Sequence, residues 1–122
     1  DKRRVEANVA KTMNVIGEVV GQTCVIVDDM VDTAGTLTGT VDALLENGAK
    51  SVVACFTHAV LSGPAIDRLS SSALQQVVVT DTIPLDDKMA KLDNLTVLSV
   101  ADLLGEAIAR IHSNSSVSSL FV

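Results

Sequence analysis

An α/β fold, a doubly wound and mainly parallel sheet, is what this sequence predicts, and three observations carry the prediction. Short apolar runs recur without polar alternation, helical stripes fall between them, and an acidic pair followed by a small-residue turn ends the first clear run. Strands that are apolar on both faces suit a parallel sheet covered by helices. Their alternation with helices implies right-handed crossovers, with ligands held beyond the carboxyl ends of the strands.

Taken in order, the segment 8–21 is the least legible. Met13, Val15, Val19 and Val20, with Gly17 and Gly21, predict either an antiparallel pair or one extended strand with a bulge. Residues 24–27 form the first clear strand. Leu37, Val41, Leu44 and Leu45 then recur at helical spacing, and Gly48 supplies a C-terminal stop. A second strand spans 52–56. Ala65, Ile66 and Leu69 mark a shorter helix opened by Pro64. Strands at 77–79 and 97–100 follow, with Asp81, Asp86, Asp87 and Lys88 between them as a solvated loop. A last helical stripe, Leu103, Leu104, Ala107, Ile108 and Ile111, follows Asp102. The tail from Ser113 has the serine content of a linker. It ends on Val117, Leu120, Phe121 and Val122, so it is expected to dock on an element absent from this chain.

Composition narrows the function classes. At 122 residues and 48% hydrophobic content, the chain suits one small domain. A net charge of −6 argues against a general nucleic-acid or anionic-membrane surface. With no Trp, no Tyr and only Phe56 and Phe121, there is no aromatic platform for stacked bases. Apolar runs of a few residues and the lack of a basic-then-apolar leader point to a cytoplasmic protein with no membrane partner, or a plastid one if the source is a plant. Cys24 and Cys55 sit in apolar strand-like runs and read as reduced core residues. No Cys and His spacing suits a metal, and no metal ligand is assigned.

The chemistry is concentrated in the run from Asp28 to Thr36. Ionised Asp28 and Asp29 at a strand end can accept hydrogen bonds from vicinal hydroxyls. The small residues Ala34 and Gly35 let the backbone curl so that successive N–H groups face one phosphate, and the following helix adds its positive end. Thr33 and Thr36 can donate to further phosphate oxygens. One ligand end would carry a diol and the other a phosphate. On spacing alone, the same run is equally an ordinary strand-to-helix turn capped by Asp32 or Thr33.

The run resembles the phosphoribosyl pyrophosphate loop of the type I phosphoribosyltransferase fold. Five further segments appear in matching order: Asp1-Lys2-Arg3-Arg4, Asn14-Val15-Ile16-Gly17, Thr57-His58-Ala59-Val60-Leu61-Ser62-Gly63-Pro64-Ala65-Ile66, Thr82-Ile83-Pro84 and Ser116-Val117-Ser118-Ser119-Leu120-Phe121. Together they resemble the C-terminal portion of the ribose-phosphate pyrophosphokinase family, of the phosphate-regulated bacterial and plant type. The resemblance implies an incomplete fold, lacking the N-terminal domain and the first strand of the C-terminal domain. Residues 1–112 would be a partial phosphoribosyltransferase-like domain and 113–122 its docking tail.

That resemblance also implies an activity: a transferase of nucleotide biosynthesis, a kinase passing the diphosphoryl group of ATP to the anomeric hydroxyl of ribose 5-phosphate, with magnesium. Asp28 and Asp29 would hold the ribose hydroxyls. Asp32, Thr33, Ala34, Gly35 and Thr36 would wrap the 5-phosphate, and Lys2 and Arg4 would belong to a mobile catalytic loop. Ser116, Ser118 and Phe121 would form a regulatory site for phosphate and ADP. The magnesium ligands would lie mostly outside this chain, the full-length protein would be a homo-oligomer, a hexamer, and the chain alone would be inactive. Alternatives are a noncatalytic synthetase-associated regulatory subunit and, further off, a nucleobase phosphoribosyltransferase. Arg3, His58 and His112 carry no assigned role.

Overall fold

The computed structural model describes residues 14–85 and 87–122. The basic cluster Lys2, Arg3 and Arg4, residues 8–13 of the first segment, and Asp86 lie outside the described residues. The elements run β1 (Thr23–Val31), α1 (Gly35–Glu46), β2 (Ser51–Ala59), α2 (Ala65–Ser71), β3 (Gln76–Thr80), a 3₁₀ turn (Asp87–Lys91), β4 (Leu95–Leu98), α3 (Ala101–His112) and a second 3₁₀ turn (Ser118–Phe121).

All four strands are parallel and stand in the order β1-β2-β3-β4. Each strand therefore pairs with the next in sequence, through crossovers that always advance the same way, a connection that is right-handed in nearly all parallel sheets. Successive crossovers in one direction place α1 and α2 on the same face. The core forms there, where Leu37 and Val41 of α1 and Ile66 and Leu69 of α2 meet Val52, Ala54 and Phe56 of β2 and Val77 and Val79 of β3. Val41, Val52 and Val79 lose all of their solvent exposure. Val is the commonest strand residue, because a branched side chain packs well on a pleated surface.

The opposite face is bare over β1. Cys24 and Ile26 pack toward the core, so the alternate residues Val25 and Val27 face away, and they are 59% and 77% exposed. Helix α3 buries no residue, and its Leu104, Ile108 and Ile111 are all exposed. Cys24 and Cys55 are free thiols. Their registers, Cys24 beside Val52 and Val27 beside Cys55, set them on opposite faces of the sheet, where no bond can join them.

Three sequence expectations change. Residues 14–22 form no strand: Gly17 and Gly21 both take positive φ, 102° and 71°, which breaks an extended run. Instead, Gly21 N–H donates to the Gly48 carbonyl and Lys50 N–H to the Gln22 carbonyl, pinning the entry to β1 against the start of β2. Strand bounds also shift: β1 and β2 run further than their apolar stretches, to Val31 and Ala59, and the strand expected at 97–100 lies at Leu95–Leu98, with Val100 the N-cap of α3. Asp81 is more than a solvated loop residue, for its Oδ1 accepts from the Val100 N–H at 2.8 Å. That bond, with help from Ser99, lowers the Asp81 pKa below the ordinary 3.8. It ties the end of β3 to the start of α3.

Candidate functional site

The site is built where β1 gives way to α1. Because β1 continues to Val31, Asp28 and Asp29 lie within the strand rather than beyond it and alternate across the sheet. Asp28 shares the face of Ile26, and its Oδ1 also accepts from the Asp29 N–H at 2.8 Å. Past the strand, Ala34 takes φ 61° and ψ 8°, a left-handed conformation, and is the N-cap of α1. This single reversal turns the chain from strand to helix within three residues of Val31. No side chain caps the helix, and its first turn has no acidic residue. Its leading N–H groups thus lack intrahelical partners, and the positive end of the helix dipole is uncompensated there.

These features enclose one cavity of about 230 Å³, lined by Ile26, Asp28, Met30, Val31, Asp32, Thr33, Ala34, Gly35, Thr36, Leu37, Thr40 and Phe56. The lining combines two carboxylates, Asp28 and Asp32, with the small residues Ala34 and Gly35 and the threonines Thr33, Thr36 and Thr40. The cavity gathers Asp28, Asp32, Thr33, Ala34, Gly35 and Thr36; Asp29 is carried onto the other face of the strand.

The turn is held from the β2-to-α2 side. Val60 and Leu61 N–H groups both donate to the Val31 carbonyl, and the Ser62 N–H donates to the Asp32 carbonyl at 3.1 Å. Ser62 Oγ donates to Asp32 Oδ1. From α2, Arg68 Nη1 donates to the Thr33 carbonyl at 2.9 Å. Sequence reasoning missed Ser62 and Arg68 as parts of this assembly. The one available signal was that Arg68 is the sole cation between Lys50 and Lys88.

Other candidates fall elsewhere. His58 Nδ1 lies 2.8 Å from Thr82 Oγ1, and Thr82 also donates to the Thr57 carbonyl, so the imidazole ties β2 to the segment after β3. Ser116 and Ser118 lie in the tail, their hydroxyls 2.9 Å apart. Arg110 folds that tail back onto α3 by donating to the Ser116 carbonyl at 3.0 Å and to Ser119 Oγ, while its Nε bonds Glu106. Phe121 is 72% exposed. Lys2 and Arg4 lie outside the described residues.

Known proteins share this sequence and fold. A family model described as the phosphoribosyl synthetase-associated domain matches residues 3–122. A ribose-phosphate pyrophosphokinase from Xylella fastidiosa is 59% identical over 122 residues, which is all of this chain and 38% of that protein. One from Caldanaerobacter subterraneus subsp. tengcongensis is 56% identical over 121 residues, covering 99% of this chain and 38% of that protein. The chain thus spans about two fifths of the length of these curated relatives. The crystal structure of phosphoribosylpyrophosphate synthetase from Mycobacterium smegmatis matches with a TM-score of 0.77 at 46% identity, over 82% of this chain and 33% of that one.

Proposed function

The chain belongs to the phosphoribosyl synthetase-associated domain family, and from that premise we propose that it supplies the ribose 5-phosphate half of a ribose-phosphate pyrophosphokinase. The reaction moves the diphosphoryl group of ATP to the anomeric hydroxyl of ribose 5-phosphate, releasing AMP. The observation that carries this reading is the single cavity joining the Asp28 carboxylate to the turn Asp32 to Thr36. It lies at the carboxyl edge of a parallel sheet, where such folds take their ligands.

The chemistry divides accordingly. Attack by a sugar hydroxyl on a phosphoryl centre depends on alignment and on positive charge meeting the nonbridging oxygens, with little covalent work for the protein. Asp28 would hold the ribose hydroxyls from within the cavity; Asp29, its expected companion, stands on the opposite face of the strand. The N–H groups of the turn and the Thr33 and Thr36 hydroxyls would hold the 5-phosphate and so fix the distance to the anomeric carbon. Lys2 and Arg4 would bring the positive charges of a catalytic loop, one as a point charge and the other as a bidentate fork. Ser116, Ser118 and Phe121 would contribute to regulation by phosphate and ADP. Among the described residues no three His, Cys, Asp or Glu side chains gather as a metal cage. Magnesium would take its ligands mostly from outside this chain.

Whole-protein properties follow as parts of the same proposal: a cytoplasmic homo-oligomer, a hexamer, in which these residues act only with the rest of a longer chain. The test is release of AMP from ATP and ribose 5-phosphate by that longer protein without any nucleobase. A nucleobase requirement would instead identify a phosphoribosyltransferase. Ribose 5-phosphate binding without turnover would identify a regulatory subunit. Replacing Asp28 and Asp29 together by Ala is expected to abolish sugar-phosphate binding and leave the fold intact; unchanged affinity would refute the site.

A further inference from the structure

We infer that Arg68 is a positioning residue for the 5-phosphate, acting through the backbone of the turn without touching the ligand; this rests on the function proposed above. Arg68 does not line the cavity of Asp28 and the turn. It borders a separate hollow with Thr38, Asp42, Ser71 and Ser72, so its guanidinium approaches the turn from the far side.

The contact there is specific. Nη1 donates to the Thr33 carbonyl at 2.9 Å. The guanidinium also lies against Gly35, where a Cβ would come within 3.0 Å of Nη1 and 3.4 Å of Cζ. In a trans peptide the carbonyl and the following N–H point in opposite directions. Drawing the Thr33 carbonyl toward α2 therefore turns the Ala34 N–H away from Arg68, toward the side on which Thr33, Ala34, Gly35 and Thr36 line the cavity. Ala34 sits in a left-handed conformation that costs a non-glycine residue about 1–2 kcal/mol. A turn so strained has other peptide orientations close in energy. A charge-assisted bond to one carbonyl selects among them.

This role separates binding from chemistry. A residue that presets the phosphate cradle changes ground state and transition state alike, which raises KM and leaves kcat in place. The measurement is steady-state kinetics on the longer protein carrying this segment, with ribose 5-phosphate and ATP varied in turn. Arg68→Ala is expected to raise KM for ribose 5-phosphate about ten- to a hundredfold, the usual weight of a hydrogen bond to a charged group. The KM for ATP stays as it was, kcat stays within about threefold, and Arg68→Lys recovers part of the affinity. If Arg68→Ala melts below the assay temperature, Arg68→Gln, which keeps a donor and removes the charge, is read in the same way. An unchanged KM, or a loss confined to melting temperature, overturns the positioning role while the site assignment stands. A wild-type protein with no affinity for ribose 5-phosphate overturns both.

Discussion

Gly35→Ala turns the packing behind the Asp32-to-Thr36 turn into a measurement. Gly35 opens α1, and in a helix alanine is ordinarily favoured over glycine by about 1 kcal/mol, less at the first position. Here the added Cβ would stand 3.0 Å from Arg68 Nη1, tighter than ordinary contact. The guanidinium must withdraw by a few tenths of an ångström, which stretches its 2.9 Å bond to the Thr33 carbonyl out of good geometry. A hydrogen bond involving a charged group is worth about 1.5–3 kcal/mol. Set against the helical gain, the net is a loss of about 1 kcal/mol, or some 4 °C in melting temperature for a chain of this size. In an Arg68→Ala background the obstacle is gone, and Gly35→Ala should become neutral or stabilising by up to about 1 kcal/mol. The assay is thermal and urea denaturation of the four members of the cycle, in which a coupling energy of about 1–2 kcal/mol is expected. Equal cost in both backgrounds would refute the contact between Arg68 and the turn.

Three further predictions are independent of that cycle. Leu69→Ala, at a residue with 2% exposure, should cost about 2–5 kcal/mol in urea denaturation, whereas Ile108→Ala on exposed α3 should stay within about 0.5 kcal/mol in this chain. Asp81 is held as a carboxylate by the Val100 N–H, so its contribution is complete above the ordinary value of 3.8 and is lost as pH falls below that through its depressed pKa. Asp81→Asn should remove this part of the acid dependence, read as amide exchange at Val100 while pH is lowered from above the ordinary value of 3.8 to well below it. Lys2→Ala in the longer protein should lower kcat far more than it weakens ribose 5-phosphate binding; the reverse pattern would remove Lys2 from a catalytic loop.

The sequence shows the alternation of strands and helices because the strands are apolar on both faces, the bare face of β1 with Val25 and Val27 included, and so carry little polar alternation to confuse the period. Leu37 and Val41 identify α1 for the same reason: their spacing records the face turned to the sheet. Strand ends are less visible. Backbone pairing carries β1 through Asp28 and Asp29 to Val31, and pairing leaves no mark in side-chain type. The segment 14–22 misleads because Val15, Val19 and Val20 have strand-like chemistry, while the positive φ at Gly17 and Gly21 sets the path. Of the site, the Asp28 to Thr36 run is local and legible. Ser62 and Arg68 reach it from thirty or more positions away, and only the fold brings them together.

The β1-β2-β3-β4 order has a consequence for how the molecule assembles. Among the described residues β2, β3 and β4 each pair with the strand just before them, so each of these pairings closes a single β-to-β connection and does not wait for a segment much further along the chain. A chain leaving the ribosome can therefore add one strand and one crossover at a time to a sheet already in place. The turn from Asp32 to Thr36 lies between β1 and α1, and Ser62 and Arg68, which hold it, lie between β2 and the end of α2. The parts that brace the turn thus all precede β3 and β4 in the chain.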